Sequence, residues 1–293
     1  MFATLSHFDL LEPASEAEAA GLLAARPGSA RVLAGGCDLL PELRRRRARP
    51  EALVSLGRIE SLRGLQVEPS GLTIRAMATL WEVERALADC PEYAALHDGI
   101  HSLASVQVKT TGTLVGNLCV ATPASDIAPP LIALDATLRI LGDGGEGRLP
   151  LFELATGPKR HCLGPGELVT RVEVPRPPAG SGSAFAKLTR TAADIAKLNV
   201  AAWVRVEGGR CAEARILLGA LAPTPVRAVA AEEALVGGAI DASALDRAAA
   251  LVVEAIRPIT DLRSTAEYRL EVAPVLARRV LELAFARALG GEP

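Results

Sequence analysis

Apolar positions along this chain recur with two periods, and the switches between them divide it. Ser15-Glu16-Ala17-Glu18 has capping-box spacing and opens an alanine-rich helix that ends near Pro27-Gly28. Residues 31–34 read as a short buried strand. Residues 39–47 read as a helix, with Asp38 at its N-cap and Pro41 in its first turn, and 52–56 as the next strand. Strand, helix and strand in this order imply parallel strands joined by a right-handed crossover.

From Gly64 the pattern changes. Residues 72–76 are strand-like, Thr79-Leu80-Trp81-Glu82 caps a helix to about Asp89, and a second helix covers 93–102. Ser125 or Asp126 caps a helix containing Pro129 and Pro130. Both prolines fall within the first four residues, whose N–H groups have no intrahelical partner. Residues 137–141 and 168–174 are strands, and 142–145 is a glycine-rich loop between strands.

The Pro/Gly/Ser-rich stretch 175–183 reads as a linker. Beyond it, 185–189, 200–207 and 214–221 predict three antiparallel strands, with Gly208-Gly209 between the last two. Three helices follow. Thr224-Pro225 opens the first, Asp241 the second, and Ser264-Thr265-Ala266-Glu267 forms a capping box for the third, which Pro274 should kink or split.

Composition narrows the function. A chain of 293 residues has room for two or three domains, and 49% hydrophobic with 23% charged residues is globular. A net charge of −2 and 3% aromatics make no case for a nucleic-acid or anionic-membrane partner. The run Arg44–Arg47 with Arg49 reads as a solvated helix face, with subunit docking as the alternative. No apolar stretch reaches the ~20 residues of a membrane span, so no transmembrane segment is expected. The N-terminus lacks a signal-peptide pattern, so a cytoplasmic location is expected. Cys37, Cys90, Cys119, Cys162 and Cys211 are scattered without a Cys-x-x-Cys, which argues against disulfides, a zinc ribbon or an iron–sulfur cluster in this chain.

Catalytic constellations are scarce. His97 and His101 have metal-ligand spacing but lack a glutamate after His97 and a third ligand, so a solvated or capping role is expected. His161 and Cys162 are sequence neighbours, which seldom face each other. Two glycine-bearing loops stand out instead: Ala34-Gly35-Gly36-Cys37-Asp38-Leu39-Leu40, and Thr111-Gly112-Thr113-Leu114-Val115-Gly116-Asn117 with Pro123-Ala124-Ser125-Asp126 behind it. Glycine lets backbone N–H groups approach a ligand with no Cβ between, and two such loops facing one cleft suit a pyrophosphate.

Together with the segment from Phe185-Ala186-Lys187 through Arg190 to Asp194, and the turn Pro223-Thr224-Pro225-Val226-Arg227, these loops resemble, in order and over nearly the whole chain, the FAD-binding medium subunit of the molybdenum hydroxylases, the xanthine dehydrogenase and aerobic carbon monoxide dehydrogenase family. The resemblance implies an α+β fold. Residues 1–177 would form an FAD-binding PCMH-type domain of two α/β subdomains (about 1–60 and 61–177). Residues 183–293 would form a carbon monoxide dehydrogenase flavoprotein-like C-terminal α+β domain, a three-stranded antiparallel sheet with helices.

The resemblance also implies FAD held extended between the two domains. Leu33, Ala34, Gly35, Gly36, Cys37, Asp38 and Leu39 would cradle one side of the pyrophosphate, and Thr111, Gly112, Thr113, Leu114, Val115, Gly116 and Asn117 the other. Asp126 would accept from ribose or ribityl hydroxyls, the backbone near Val169 would approach the adenine or flavin, and Lys187, with Arg190 and Asp194, would lie on a segment able to reach the isoalloxazine. This sequence departs from the family at Val115 (a glycine slot), Cys37 (often Thr or Ser) and Thr191 (often basic).

The expected function is electron transfer, from [2Fe–2S] clusters of a small partner subunit through FAD to NAD, a quinone or oxygen, with a large partner subunit holding the molybdenum cofactor. The partners are implied by the resemblance alone. The alternatives are a structural or assembly subunit with a degenerate flavin site, and a stand-alone FAD oxidase.

Overall fold

The computed structural model describes residues 5–291. Its first sheet is small and parallel. Strands β1 (Asp9–Leu11), β2 (Ala30–Leu33) and β3 (Ala52–Ser55) lie in the order β1-β3-β2, with helices α1 (Glu16–Ala24) and α2 (Leu39–Arg44) as the connections. The pattern of 31–56 gave β2, α2 and β3. It did not reveal β1, which is too short to display a period. Ser15 Oγ caps α1 by accepting from the Glu18 N–H, but the Glu18 carboxylate accepts from the Ala14 N–H, one residue ahead of the cap.

Helix α2 corrects two expectations. Asp38 sits at its N-cap position in a helical conformation (φ −96°, ψ −45°) and accepts no capping hydrogen bond. Gly36, at φ +72°, makes the turn instead, and its carbonyl accepts from the Leu40 N–H. The helix also stops at Arg44 rather than 47. Arg46 is left-handed (φ +56°), and the Arg47 N–H returns to the Glu42 carbonyl at 2.9 Å, a Schellman closure. The exposed arginines therefore cluster at a helix C-terminus, where cations complement the carbonyl end, rather than along a helix face.

The second region pairs β4 (Leu65–Glu68) with β5 (Gly71–Arg75) and then turns helical: α3 (Leu80–Leu87), α4 (Ala94–Ser102), α5 (Val106–Lys109), α6 (Leu114–Cys119) and α7 (Ala128–Ala133). It closes with β6 (Thr137–Gly142), β7 (Gly145–Pro150), the small β8 (Ala155–Gly157) and β9 (Arg160–His161) hairpin, and β10 (Leu168–Pro175). The five-stranded sheet runs β4-β5-β10-β6-β7 and is antiparallel throughout. Thr79 and Glu82 form a complete capping box on α3. At α7 the N-cap position is Ile127, and Ser125, two residues ahead, accepts from the Ile127 and Ala128 N–H groups through its Oγ, while Asp126 turns elsewhere.

The C-terminal part is a four-stranded antiparallel sheet rather than the expected three: β11 (Ser181–Leu188), β12 (Leu198–Glu207), β13 (Arg210–Gly219) and the short β14 (Val226–Arg227). Residues 224–227 therefore do not open a helix. Helix α8 (Val229–Glu233) starts later, followed by α9 (Ala242–Leu251), capped by Asp241, and α10 (Ala266–Ala288), capped by Thr265. The N3 position of α10 is Tyr268, so no capping box forms, and the helix runs through Pro274 unbroken. The carbonyl that Pro274 frees belongs to Leu270, an exposed residue that water can satisfy.

Strand β12 shows why its sequence is almost continuously apolar. Val200, Ala202 and Val204 pack with α9 and α10 in the C-terminal core, while Ala201 and Trp203 point into the core of the N-terminal part. A strand buried on both faces loses its polar alternation. The join between the two parts, formed by α4 and α7 against β11, β12 and β13, is polar at its edges. Arg287 donates to Asp98 Oδ2 (2.6 Å) and to the Ser183 carbonyl (2.7 Å), Ser183 Oγ accepts from the Ala95 N–H, and Arg215 donates to the Ala133 carbonyl. Gly182 and Ser183 are buried, so the exposed connection shrinks to residues 176–180.

Candidate functional site

The two glycine loops meet. A Cβ on Gly35 would overlap the Thr111 carbonyl and crowd Gly112, so only glycine allows this approach. Cys37 Sγ lies 3.8 Å from the Val108 carbonyl, and a Cβ on Gly112 would be 3.5 Å from that sulfur. Around this contact opens a cavity of about 380 Å³. Its walls come from residues 23–169, so it lies between the two subdomains of the N-terminal part and takes no residue from the C-terminal sheet.

Of the residues singled out by sequence, Ala34, Gly35, Gly36, Cys37, Asp38, Leu39, Gly112, Thr113, Val115, Gly116, Asn117 and Val169 line this cavity. Leu33 and Leu114 stand behind it, Leu33 under Gly36 and Leu114 in the core, and the Thr111 carbonyl meets Gly35. Asp126 and Lys187 are not in its wall. They pair with each other at 2.7 Å, and Asn199 Nδ2 donates to Asp126 Oδ1 at 3.0 Å. One link joins them to the cavity: Ser125 Oγ donates to Asn117 Oδ1. Arg190 pairs with Asp194 in an exposed turn, away from the cavity wall.

The second loop is the start of a helix rather than an open loop. Thr113 caps α6, its Oγ1 accepting from the Gly116 N–H, and Val115 sits in the first turn, 5% exposed and packed in the core. Val115 therefore needs no unusual backbone conformation and contributes an apolar patch to the cavity floor.

Among the described residues, no protein acceptor takes the backbone N–H groups of Gly35, Gly36, Cys37, Asp38 and Leu39, nor those of Thr113 and Val115. These seven N–H groups lie on two converging loops that line the cavity. Sequence reasoning missed the third wall. Arg26, Arg31, Lys159 and His161 line the cavity with residues 163–168, and the only local signals were the Gly157-Pro158 and Gly164-Pro165-Gly166 turns. Burial and the neighbouring Arg31 hold His161 below the usual histidine range. Burial pushes Asp38 up, Lys159 pulls it back and Glu42 adds to the rise. The Cys37 thiol is pushed up by burial and by Asp38.

Elsewhere His101 Nδ1 meets Glu84 Oε1 at 2.9 Å and stacks on His97, and no metal-binding group of side chains is found among the described residues. No helix among them is long and apolar enough to cross a membrane.

Amides without a protein partner and a glycine-enforced contact at one cavity are features that suit a phosphate-bearing cofactor. The family described as "FAD binding domain in molybdopterin dehydrogenase" matches residues 6–177, and "CO dehydrogenase flavoprotein C-terminal domain" matches 183–284. The carbon monoxide dehydrogenase medium chain of Afipia carboxidovorans is 36% identical over 285 residues, covering 96% of this chain and 98% of its own. The xanthine dehydrogenase FAD-binding subunit of Escherichia coli O157:H7 is 30% identical over 280 residues, covering 94% and 96%. The solved structure of reconstituted CO dehydrogenase from Oligotropha carboxidovorans superposes with a TM-score of 0.92 at 35% identity, covering 97% of this chain and 99% of that one. This chain belongs to the flavin-binding subunits of the molybdenum hydroxylases. It is an oxidoreductase subunit with the FAD-binding domain of that family.

Proposed function

We propose that this chain is the electron-transfer flavoprotein of a multi-subunit molybdenum hydroxylase, working with a large molybdenum-cofactor subunit and a small [2Fe–2S] subunit. Bound FAD would supply the redox chemistry that links a partner subunit's cluster to an external acceptor such as NAD, a quinone or oxygen. The chain's own work is binding and orientation. The N–H groups of residues 35–39 hold one face of the pyrophosphate, and those of Thr113 and Val115 hold the other. Arg26, Arg31 and Lys159 supply positive charge along the wall, and Val115, Val169 and Leu168 exclude water from the apolar side. Asp126 and Lys187 act from behind Asn117 by fixing the second loop against the C-terminal sheet.

The observation that carries this reading is the cradle of unpaired amides where two glycine loops touch. The departure at Val115 does not fill it, which weakens the motive for a structural subunit with a degenerate site. We assign residues 1–177 and 183–293 as the two domains and expect a cytoplasmic complex, where five unpaired cysteines stay reduced. The test is the visible spectrum of the purified chain. No flavin band, and none after titration with FAD, sinks the proposal.

A further inference from the structure

The third wall of the cavity ends in a tip that touches both glycine-loop helices. Lys159 turns the β8–β9 hairpin at φ +56°, a left-handed conformation that a lysine keeps only where its surroundings impose it. Two bonds impose it. Its backbone N–H donates to the Ala121 carbonyl at 2.9 Å, just past the end of α6, and its Nζ donates to Glu42 Oε1 at 2.7 Å on α2. Lys159 thus ties the helix after the first glycine loop to the end of the helix of the second, from within the cavity wall.

The tie is built to break. The two side chains are 59% and 29% exposed, so water competes for the ion pair. The hairpin behind it pairs strands of three and two residues, with Gly157-Pro158 at the bend, too little to be rigid alone. While the pair is closed, Lys159 faces both acidic side chains at the α2 end of the cradle. Its hydrogen bond holds the Glu42 carboxyl below its ordinary range, and its charge counteracts the rise in Asp38. Without that cation, Asp38 and Glu42 would repel an anionic pyrophosphate.

We propose that Lys159 and Glu42 form a latch over the cofactor cavity, which opens by swinging the hairpin tip off α2 to pass the dinucleotide and re-forms behind it. The inference rests on the flavin reading for the identity of what passes, and on the geometry alone for the latch.

Two measurements on Lys159→Ala, Glu42→Gln and the double variant test it. The first uses the chain without flavin. It follows alkylation of Cys119, a half-buried cavity-wall thiol pushed up to about 12 by burial, against the exposed Cys162 as internal reference. The second follows uptake and release of FAD by flavin fluorescence. Each single variant should speed Cys119 labelling and FAD release by about two- to fivefold, the range of an exposed ion pair. Glu42→Gln, which removes a carboxylate and keeps the cation, should speed FAD uptake by the same range, whereas Lys159→Ala loses the cation that offsets Asp38 and Glu42 and should not. The double variant should be no faster than either single, and Lys159→Arg should restore the parent rates. Unchanged Cys119 labelling overturns the latch. So does slower FAD uptake in Glu42→Gln, the variant that breaks the pair and keeps the cation. If no protein in the series takes up FAD yet Cys119 labelling accelerates, the flavin reading fails and the latch stands.

Discussion

Lys187 Nζ lies 2.7 Å from Asp126 Oδ2, and the two residues come from opposite sides of the joint, Lys187 from β11 and Asp126 from the turn before α7. Their side chains are 5% and 7% exposed. Burial pushes the Asp126 carboxyl up, against the downward pull of Lys187 and Asn199. A pair this deep gives little net stability over an apolar replacement, but losing one partner strands the other.

Lys187→Met should therefore destabilise the chain by about 3–5 kcal/mol, and adding Asp126→Leu should recover much of that. Denaturant midpoints of the two variants decide it. A single-variant loss below about 1 kcal/mol would mean the joint opens to let water reach Asp126.

At the loop contact, Gly35→Ala should cost about 1–3 kcal/mol by forcing the Thr111 carbonyl away, and flavin should be lost with it. Gly36→Val meets Leu40 Cδ1 at 3.1 Å and Leu33 Cδ1 at 3.3 Å and must hold φ +72° with a branched side chain. Its expected cost is about 1–3 kcal/mol, again with loss of flavin. The flavin-to-protein ratio and melting temperature of each variant are the readouts. Full flavin in Gly36→Val would remove the first loop as a cradle.

Val115→Gly separates a core residue from an obstruction. The buried side chain in the first turn of α6 predicts a loss of roughly 2–4 kcal/mol, from lost burial plus glycine in a helix. FAD binding should not tighten. An unchanged melting temperature would contradict the packing described.

Acid should act through Glu84. Burial pushes its carboxyl up, but hydrogen bonds from Lys109 and His101 outweigh that and leave it below the ordinary range. Its contribution is then fully present above the unfolded value of about 4.3 and is lost as pH falls through the folded one. Glu84→Gln should flatten the acid limb of a stability–pH profile. An equal slope in both proteins would assign that limb to other carboxylates.

Much of the fold was legible because it rests on periods long enough to display. The β2-α2-β3 unit and the three long C-terminal strands each carry a run that only one element type explains. Strands β1, β8, β9 and β14 hold two or three residues each, which no period can mark. Pro274 misled because a local rule ignores whether the freed carbonyl can reach water. In the site, Gly35 and Gly36 announced themselves because an absent side chain is itself the signal. Lys159, Arg31 and His161 did not, since only tertiary folding sets them around one cavity. The Asp126–Lys187 pair spans 61 residues, and neither end carries a local mark of the other.

Asp98 finds its guanidinium 189 residues downstream, on Arg287. A ribosome adding about 5–20 residues each second needs about 10–40 s to cover that distance. From Val169, the last residue of the cavity wall, until Arg287 the nascent chain holds every wall of its cavity but not the cation that seats Asp98. The faces of α4 and α7 that later meet the C-terminal sheet stand open to water and to chaperones meanwhile. The cofactor site is thus written early in translation and braced late.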